Sequence, residues 1–395
     1  MKKVFVLLIS MALLFSLNLT VFAESRTNNS ADFWEIYQAS ADTEPEINAK
    51  SAVLIERETG AVLYAKNENE ALAPASVTKT MTLLIVAEFI ESGKISKDDE
   101  VLVSAYAASM GGSQVFLKEG ELMSAEELIK CTVIASANDA AVSLAEHCAG
   151  SESAFVSLMN ERARALGLTS TTFENVTGLD DDVTNHTMSA GDIAKISREL
   201  LRHDIIRKYS SVWQDSIRNG EFTLTNTNRL VRYYSGCTGL KTGSTDKAGF
   251  CVSASAKRGD CELIAVIMGA ETSSERNEAA RTLLDFGFSS YALYKSDARS
   301  VGDIPVKCAS TEKIPLKADG FCSIVNKADL KRVSVTYELP SSVSAPIKKG
   351  SVIGKAVYKI DEKILGTVNI YADADIERIG FLNLFGLIFK ASFIK

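Results

Sequence analysis

Ser76 and Lys79 stand three residues apart in Pro74-Ala75-Ser76-Val77-Thr78-Lys79, at the opening of the apolar run over residues 80–87. An α-helix turns once in about 3.6 residues, so this spacing sets a hydroxyl and an amine side by side on one face. Pro74 is excluded from a helix interior, and the helix is therefore expected to begin at Ala75 or Ser76. Ser76 then falls in a first turn whose backbone N–H groups have no intrahelical partner and are free for a developing oxyanion. Ser-x-x-Lys alone is weak, because serine commonly caps helices and lysine is commonly solvated. Two further motifs follow in order, Ser136-Ala137-Asn138 and Lys241-Thr242-Gly243. Together the three form a set used by serine enzymes that pass through an acyl intermediate.

A serine hydroxyl is a poor nucleophile until a base takes its proton, and Lys79 is such a base only when neutral. Burial disfavours its ammonium form, and a second cation, Lys241, disfavours it further. Ser136 would relay a proton to the leaving group from the opposite wall of the cleft, while Asn138 would hold Lys79 and the substrate amide. Lys241 and Thr242 suit a substrate carboxylate, and Gly243 would let the backbone approach the substrate closely. The backbone N–H groups of Ser76 and Ser244 would hold the oxyanion. His147, His186 and His203 do not gather with an acid and a serine in sequence, and no Ser-His-Asp site is called for. The seven cysteines form no Cys-x-x-Cys pair, so no metal site and no cofactor is expected, and most of them read as small buried hydrophobes.

The chain that must position these groups has 395 residues, 46% apolar and 24% charged, with room for two or three domains. A net charge of -7 without a dense basic patch argues against nucleic acid. Lys2 and Lys3 precede an apolar stretch that ends Val21-Phe22-Ala23, which reads as a signal peptide over 1–23 and places the mature protein outside the cytoplasmic membrane. A polar lead-in (24–46) is followed by a predicted catalytic domain (47–290). Within it, residues 51–56 and 61–65 read as a strand pair, 107–120 as a surface loop, and 126–147 as a helix broken at Ser136. Residues 153–166 and 189–203 read as helices, the second with a capping box between Ser189 and Asp192. Two strands (250–255, 262–269) and a helix from Glu275 ending at Gly287 complete an antiparallel sheet flanked by helices, an α/β (α+β) class. Short alternating runs over 300–372 suggest a small all-β sandwich, and 373–395, apolar with Lys390 and Lys395 at its end, suggests an amphipathic helix lying on a membrane surface.

The motifs resemble those of the D-alanyl-D-alanine carboxypeptidases among the low-molecular-mass penicillin-binding proteins. The likeness extends from about Ser51 to Phe288 and includes Gly111-Gly112-Ser113-Gln114, Asn175 with Gly178-Leu179-Asp180, and Thr238-Gly239-Leu240 running into Lys241-Thr242-Gly243. It implies a serine acylated by a peptidoglycan stem peptide ending in D-Ala-D-Ala, release of the terminal D-alanine, deacylation by water, and acylation by β-lactam antibiotics. It also implies that Arg276 helps to bind the terminal carboxylate. Two alternatives stand beside it. A class A-like β-lactamase would share the motifs, but no Glu-x-x-x-Asn stretch occurs between Gly150 and Thr238. A non-catalytic peptidoglycan-binding scaffold would have no need of all the chemical residues at once.

Overall fold

The computed structural model describes residues 44–180 and 183–380. The expected signal peptide, all but the last three residues of the expected lead-in, and residues 381–395 of the expected tail lie outside the described residues.

β1 (Ser51–Glu56) and β2 (Val62–Lys66) form the expected hairpin, and buried Glu56 accepts the backbone N–H groups of Glu58 and Thr59 in its turn. A 3₁₀ turn, Ala75–Thr78, leads straight into α1 (Lys79–Glu91), which is buried without a break from Lys79 to Ala87. The short pair β3 (Glu100–Leu102) and β4 (Leu122–Ser124) brackets α2 (Ala105–Ala108) and the loop after it. There follow α3 (Ala125–Lys130), α4 (Asn138–Ala149), α5 (Glu152–Ala165), α6 (Ala190–Leu200) and α7 (Asp204–Ser210). A small hairpin, β5 (Gln214–Ile217) and β6 (Phe222–Thr225), and one turn of helix, α8 (Leu230–Tyr233), precede β7 (Cys237–Thr245), β8 (Gly249–Arg258), β9 (Cys261–Ala270) and α9 (Ser273–Ser290).

The sheet is antiparallel throughout, in the order β2-β1-β9-β8-β7, so the first hairpin docks on the last strand of the run, with Val53 opposite Val266. Side chains alternate across it as the strand period requires. Val53, Ile55, Ile264 and Val266 pack with α1 and α6, whereas Ala52, Leu54, Leu263 and Ala265 pack with Leu283, Leu284 and Phe288 of α9. Both faces are thus covered by apolar side chains, and β7 is left at one edge.

Three local expectations are corrected. Residues 189–203 are not one helix: α6 ends at Leu200 and His203 is the extended residue just before α7. Ser189 does cap α6 through the Asp192 N–H, but the Asp192 carboxylate takes the Ser170 N–H and the Thr171 hydroxyl, so no box closes. Gly287 does not stop α9. A Cβ there would lie 2.5 Å from Leu263 Cδ1 and 2.8 Å from Leu54 Cδ2, so the glycine marks where the helix presses on the sheet.

The all-β part begins at Tyr291 rather than near Ser300. β10 (Tyr291–Ser296) pairs with β13 (Phe321–Asn326). With β11 (Arg299–Lys307), β12 (Lys313–Ala318), β14 (Val333–Glu338), β15 (Val343–Ser344), β16 (Val352–Ile360) and β17 (Lys363–Ala372), it encloses its own core, in which Phe321 stacks on Tyr358 at 4.0 Å. The expected helix from Ile376 onward does not start there. Ile376 is buried and exchanges both backbone hydrogen bonds with Ile347, and the Ile379 N–H donates to Cys308 O. Residues 373–376 therefore belong to the β domain. Among the described residues no helix is long and apolar enough to cross a membrane, and all seven cysteines are unpaired.

Candidate active site

Ala75 takes a positive φ of 48° directly after Pro74, which turns the chain sharply into the 3₁₀ turn that presents Ser76. Ser76 is in this tight turn and Lys79 opens α1, so the pair spans a 3₁₀-to-α junction instead of a regular helix face. The spacing still brings them together, with Lys79 Nζ 2.8 Å from Ser76 Oγ. Lys79 is fully buried and also donates to Thr177 O at 2.9 Å. Its pKa falls well below the ordinary lysine value, chiefly through burial and then through the charge of Lys241, with Asp139 opposing.

The predicted break at Ser136 is built by a π-helical turn, Cys131–Ala135, which winds one residue too many and leaves Ser136 in the left-handed region at φ 62°. That conformation turns the hydroxyl toward β7, where Lys241 Nζ donates to Ser136 Oγ at 2.7 Å and to Thr242 O at 3.0 Å. Lys241 is buried, and burial followed by the nearby charge of Arg276 lowers its pKa to about 7. Thr242 Oγ1 donates to Thr227 Oγ1 at 2.8 Å.

One role read from sequence does not match the geometry. Asn138 does not hold Lys79: its Nδ2 donates to Gly111 O at 2.7 Å, its Oδ1 is buried without a partner among the described residues, and the lysine amine is engaged by Ser76 and Thr177. Gly243 faces the nucleophile turn. A Cβ on it would stand 2.7 Å from Ser76 N and 2.9 Å from Pro74 O, so its missing side chain admits the Ser76 backbone.

Arg276 opens α9 just inside its first turn and is buried, donating to Asn277 Oδ1 and lying 6.0 Å over the Phe250 ring. No carboxylate pairs with it among the described residues, and burial lowers its pKa to about 10. A cleft of about 310 Å³ is lined by Ser76, Ser136, Thr242, Gly243, Ser244 and Arg276. Its lining also includes Ser113, Thr227, Arg229, Phe250 and Asn277, which sequence reasoning did not assign to the site. The run Asn226-Thr227-Asn228 held a signal: both asparagines are buried, and each accepts a backbone N–H two residues on, the mark of a built turn. Exposed Arg229 follows that turn and leaves the cleft with positive charge at its mouth.

A helix-covered antiparallel sheet with two hydrogen-bonded pairs, Ser76–Lys79 and Ser136–Lys241, beside its edge strand defines a class, the serine acyl-transfer enzymes of penicillin-binding type. Residues 38–272 match the family model described as D-alanyl-D-alanine carboxypeptidase, and residues 288–378 match that of the penicillin-binding protein 5 C-terminal domain. The chain belongs to the D-alanyl-D-alanine carboxypeptidase family. It is 44% identical over 342 residues to the D-alanyl-D-alanine carboxypeptidase DacF of Bacillus subtilis, covering 85% of this chain and 87% of that one. Penicillin-binding protein 5 of Haemophilus influenzae superposes with a TM-score of 0.75 at 31% identity, over 85% of this chain and 99% of that chain. Penicillin-binding protein D2 of Listeria monocytogenes, solved in its ampicillin-bound form, superposes at 0.55 with 29% identity, over 62% of this chain and all of that one.

Proposed function

We propose that this protein, a serine-type D-Ala-D-Ala carboxypeptidase, removes the terminal D-alanine from peptidoglycan stem peptides through an acyl-enzyme on Ser76. The observation that carries the assignment is the 2.8 Å contact between Ser76 Oγ and a fully buried Lys79 amine. A neutral Lys79 takes the Ser76 proton as Oγ adds to the carbonyl of the penultimate residue, and the backbone N–H groups of Ser76 and Ser244 receive the oxyanion. Collapse breaks the peptide bond. The departing amine takes the hydroxyl proton of Ser136, which Lys241 orients, and the proton that Lys79 took from Ser76 replaces it, so Lys79 is neutral again. Water then adds to the ester by the same base, freeing Ser76. Arg276, Thr242 and the charge of Lys241 receive the terminal carboxylate, and the buried Asn138 Oδ1, which lacks a partner among the described residues, is the acceptor for the substrate amide N–H. β-Lactams acylate the same serine.

The apolar residues 1–23 support export, and the apolar residues beyond 380, with Lys390 and Lys395, support attachment to the outer face of the membrane. The function is tested by mass spectrometry of the protein incubated with benzylpenicillin and with a peptide ending in D-Ala-D-Ala. Adduct and D-alanine release should both vanish in Ser76→Ala, and an adduct on another serine would overturn the assignment.

A further inference from the structure

We propose that Asn175 is a positioning residue for the catalytic base: the turn it closes aims the Thr177 carbonyl at Lys79 and so points the lysine's lone pair at Ser76. This deepens the reading of Ser76 and Lys79 given above and rests on it. Lys79 Nζ has two hydrogen-bond neighbours, Ser76 Oγ at 2.8 Å and Thr177 O at 2.9 Å. In a tetrahedral amine, one N–H committed to a fixed acceptor restricts where the remaining N–H groups and the lone pair can lie. The carbonyl is fixed in turn by Asn175, whose Oδ1 accepts from Gly178 N at 2.7 Å and Thr177 N at 3.1 Å while its Nδ2 donates to Leu179 O at 2.9 Å. One side-chain amide therefore closes the turn from both sides.

The turn is clamped to the element that carries the nucleophile. Gly178 lies at φ 81°, and a Cβ there would stand 1.8 Å from Ala75 O and 2.7 Å from Thr78 Oγ1. Thr82 Oγ1 donates to Val176 O at 2.8 Å. His186 adds a third tie. Its Nδ1 accepts the Glu174 N–H at 3.1 Å, which puts its proton on Nε2, 2.8 Å from Thr78 Oγ1. Burial keeps this imidazole neutral down to about pH 4. The stretch 174–178 is thus tied to Thr78, Lys79 and Thr82, and small movements of Asn175 are passed to the amine.

An amide at 175 also has an electrostatic consequence. The charges that act on Lys79 are Lys241 from β7, which disfavours its proton, and Asp139 from α4, which favours it. Glu174, Asp180 and Lys247 act on the neighbouring His186. An aspartate at 175 would still accept the Thr177 and Gly178 N–H groups but could not donate to Leu179 O, and it would add a negative charge one carbonyl away from the amine and raise its affinity for a proton.

The test measures the rate of benzylpenicillin acylation against pH for wild type, Asn175→Asp and Asn175→Ala in the full chain, with the adduct mapped and thermal unfolding recorded. In Asn175→Asp, which keeps the two accepted N–H groups and loses the Leu179 contact, the acid limb should move about one pH unit upward, with alkaline-side rates falling less than in Asn175→Ala. In Asn175→Ala the rate should fall roughly 10- to 100-fold at every pH, as a misplaced reacting group does. An Asp variant whose acid limb stays where wild type has it, or an Ala variant that acylates at the wild-type rate, overturns the proposal; where the Ala variant does not fold, the Asp variant decides. An adduct that maps away from Ser76 in wild type would instead sink the underlying assignment, whereas one on Ser76 with an unmoved limb sinks only the role of Asn175.

Discussion

Lys79 and Lys241 are the electrostatic basis of the cleft. Burial and the charge of Lys241 drive the pKa of Lys79 well down, while burial and the charge of Arg276 bring that of Lys241 to about 7. The sign of the pH dependence follows. Under the proposed mechanism acylation should rise with pH as Lys79 loses its proton, and recognition of a carboxylate should fall as Lys241 loses its own. For the peptide acid, kcat/KM should therefore decline above about pH 7 to 8, while the decline in kcat lies at higher pH because a bound carboxylate favours charged Lys241. Coincident basic limbs in the two profiles would take Lys241 away from the carboxylate. Lys79→Arg should nearly abolish acylation, since a guanidinium keeps its proton at neutral pH, and trapping of the penicilloyl adduct would show it. Arg276→Ala removes a buried cation that has no acidic partner among the described residues, so turnover of a peptide acid should fall roughly one to two powers of ten, in keeping with about 1.5 to 3 kcal/mol for a charge-assisted contact. The corresponding peptide amide should lose much less, and equal losses would make Arg276 structural.

At the scale of elements, the motifs named the side chains but not the backbone that aims them. Ser76 and Lys79 were legible because their three-residue spacing survives the change from an α to a 3₁₀ start. The partner of Lys79 was not legible, because Thr177 supplies a main-chain carbonyl and a carbonyl has no side-chain signature. Asn138 was read into the wrong contact for a related reason: nothing in the local sequence shows that the loop carbonyl of Gly111 folds over it. From sequence Gly243 reads as room for a substrate and Gly287 as a helix stop; in the structure both also accommodate what lies across from them, the Ser76 turn and the sheet. Gly243→Ala should accordingly push β7 off the Ser76 turn. We expect the penicillin acylation rate to fall by at least about tenfold, on the scale of a reacting group displaced by a fraction of an ångström, with the far-UV circular dichroism unchanged. Wild-type acylation would mean the turn and the strand can part without consequence.

At the scale of the molecule, the catalytic part and the β domain follow each other without a linker: α9 ends at Ser290 and β10 begins at Tyr291. The alternating sequence pattern identified the β domain, yet its end was set too early, because Ile376 reads as part of an apolar tail until its pairing with Ile347 is seen. A chain ending at Ala372 should therefore lose the burial of that side chain, on the order of 1.5 to 3 kcal/mol from the β domain, and unfold at lower denaturant than a chain ending at Gly380. Both should still bind penicillin, because the cleft lies wholly in residues before 278. Equal midpoints would show that the Ile347–Ile376 pair is dispensable.

The same pair has a mechanical meaning. Any tension applied to the residues that follow Gly380 enters the molecule through the Ile379–Cys308 and Ile376–Ile347 hydrogen bonds. The pull would have to peel these and then β17 from its neighbours before any of it reached β7 or the Ser76 turn. The β domain is in that sense a fuse: a protein tugged by its tail would yield first at the end that has no part in the reaction, and the register of Ser76 against Lys79 would be the last thing disturbed.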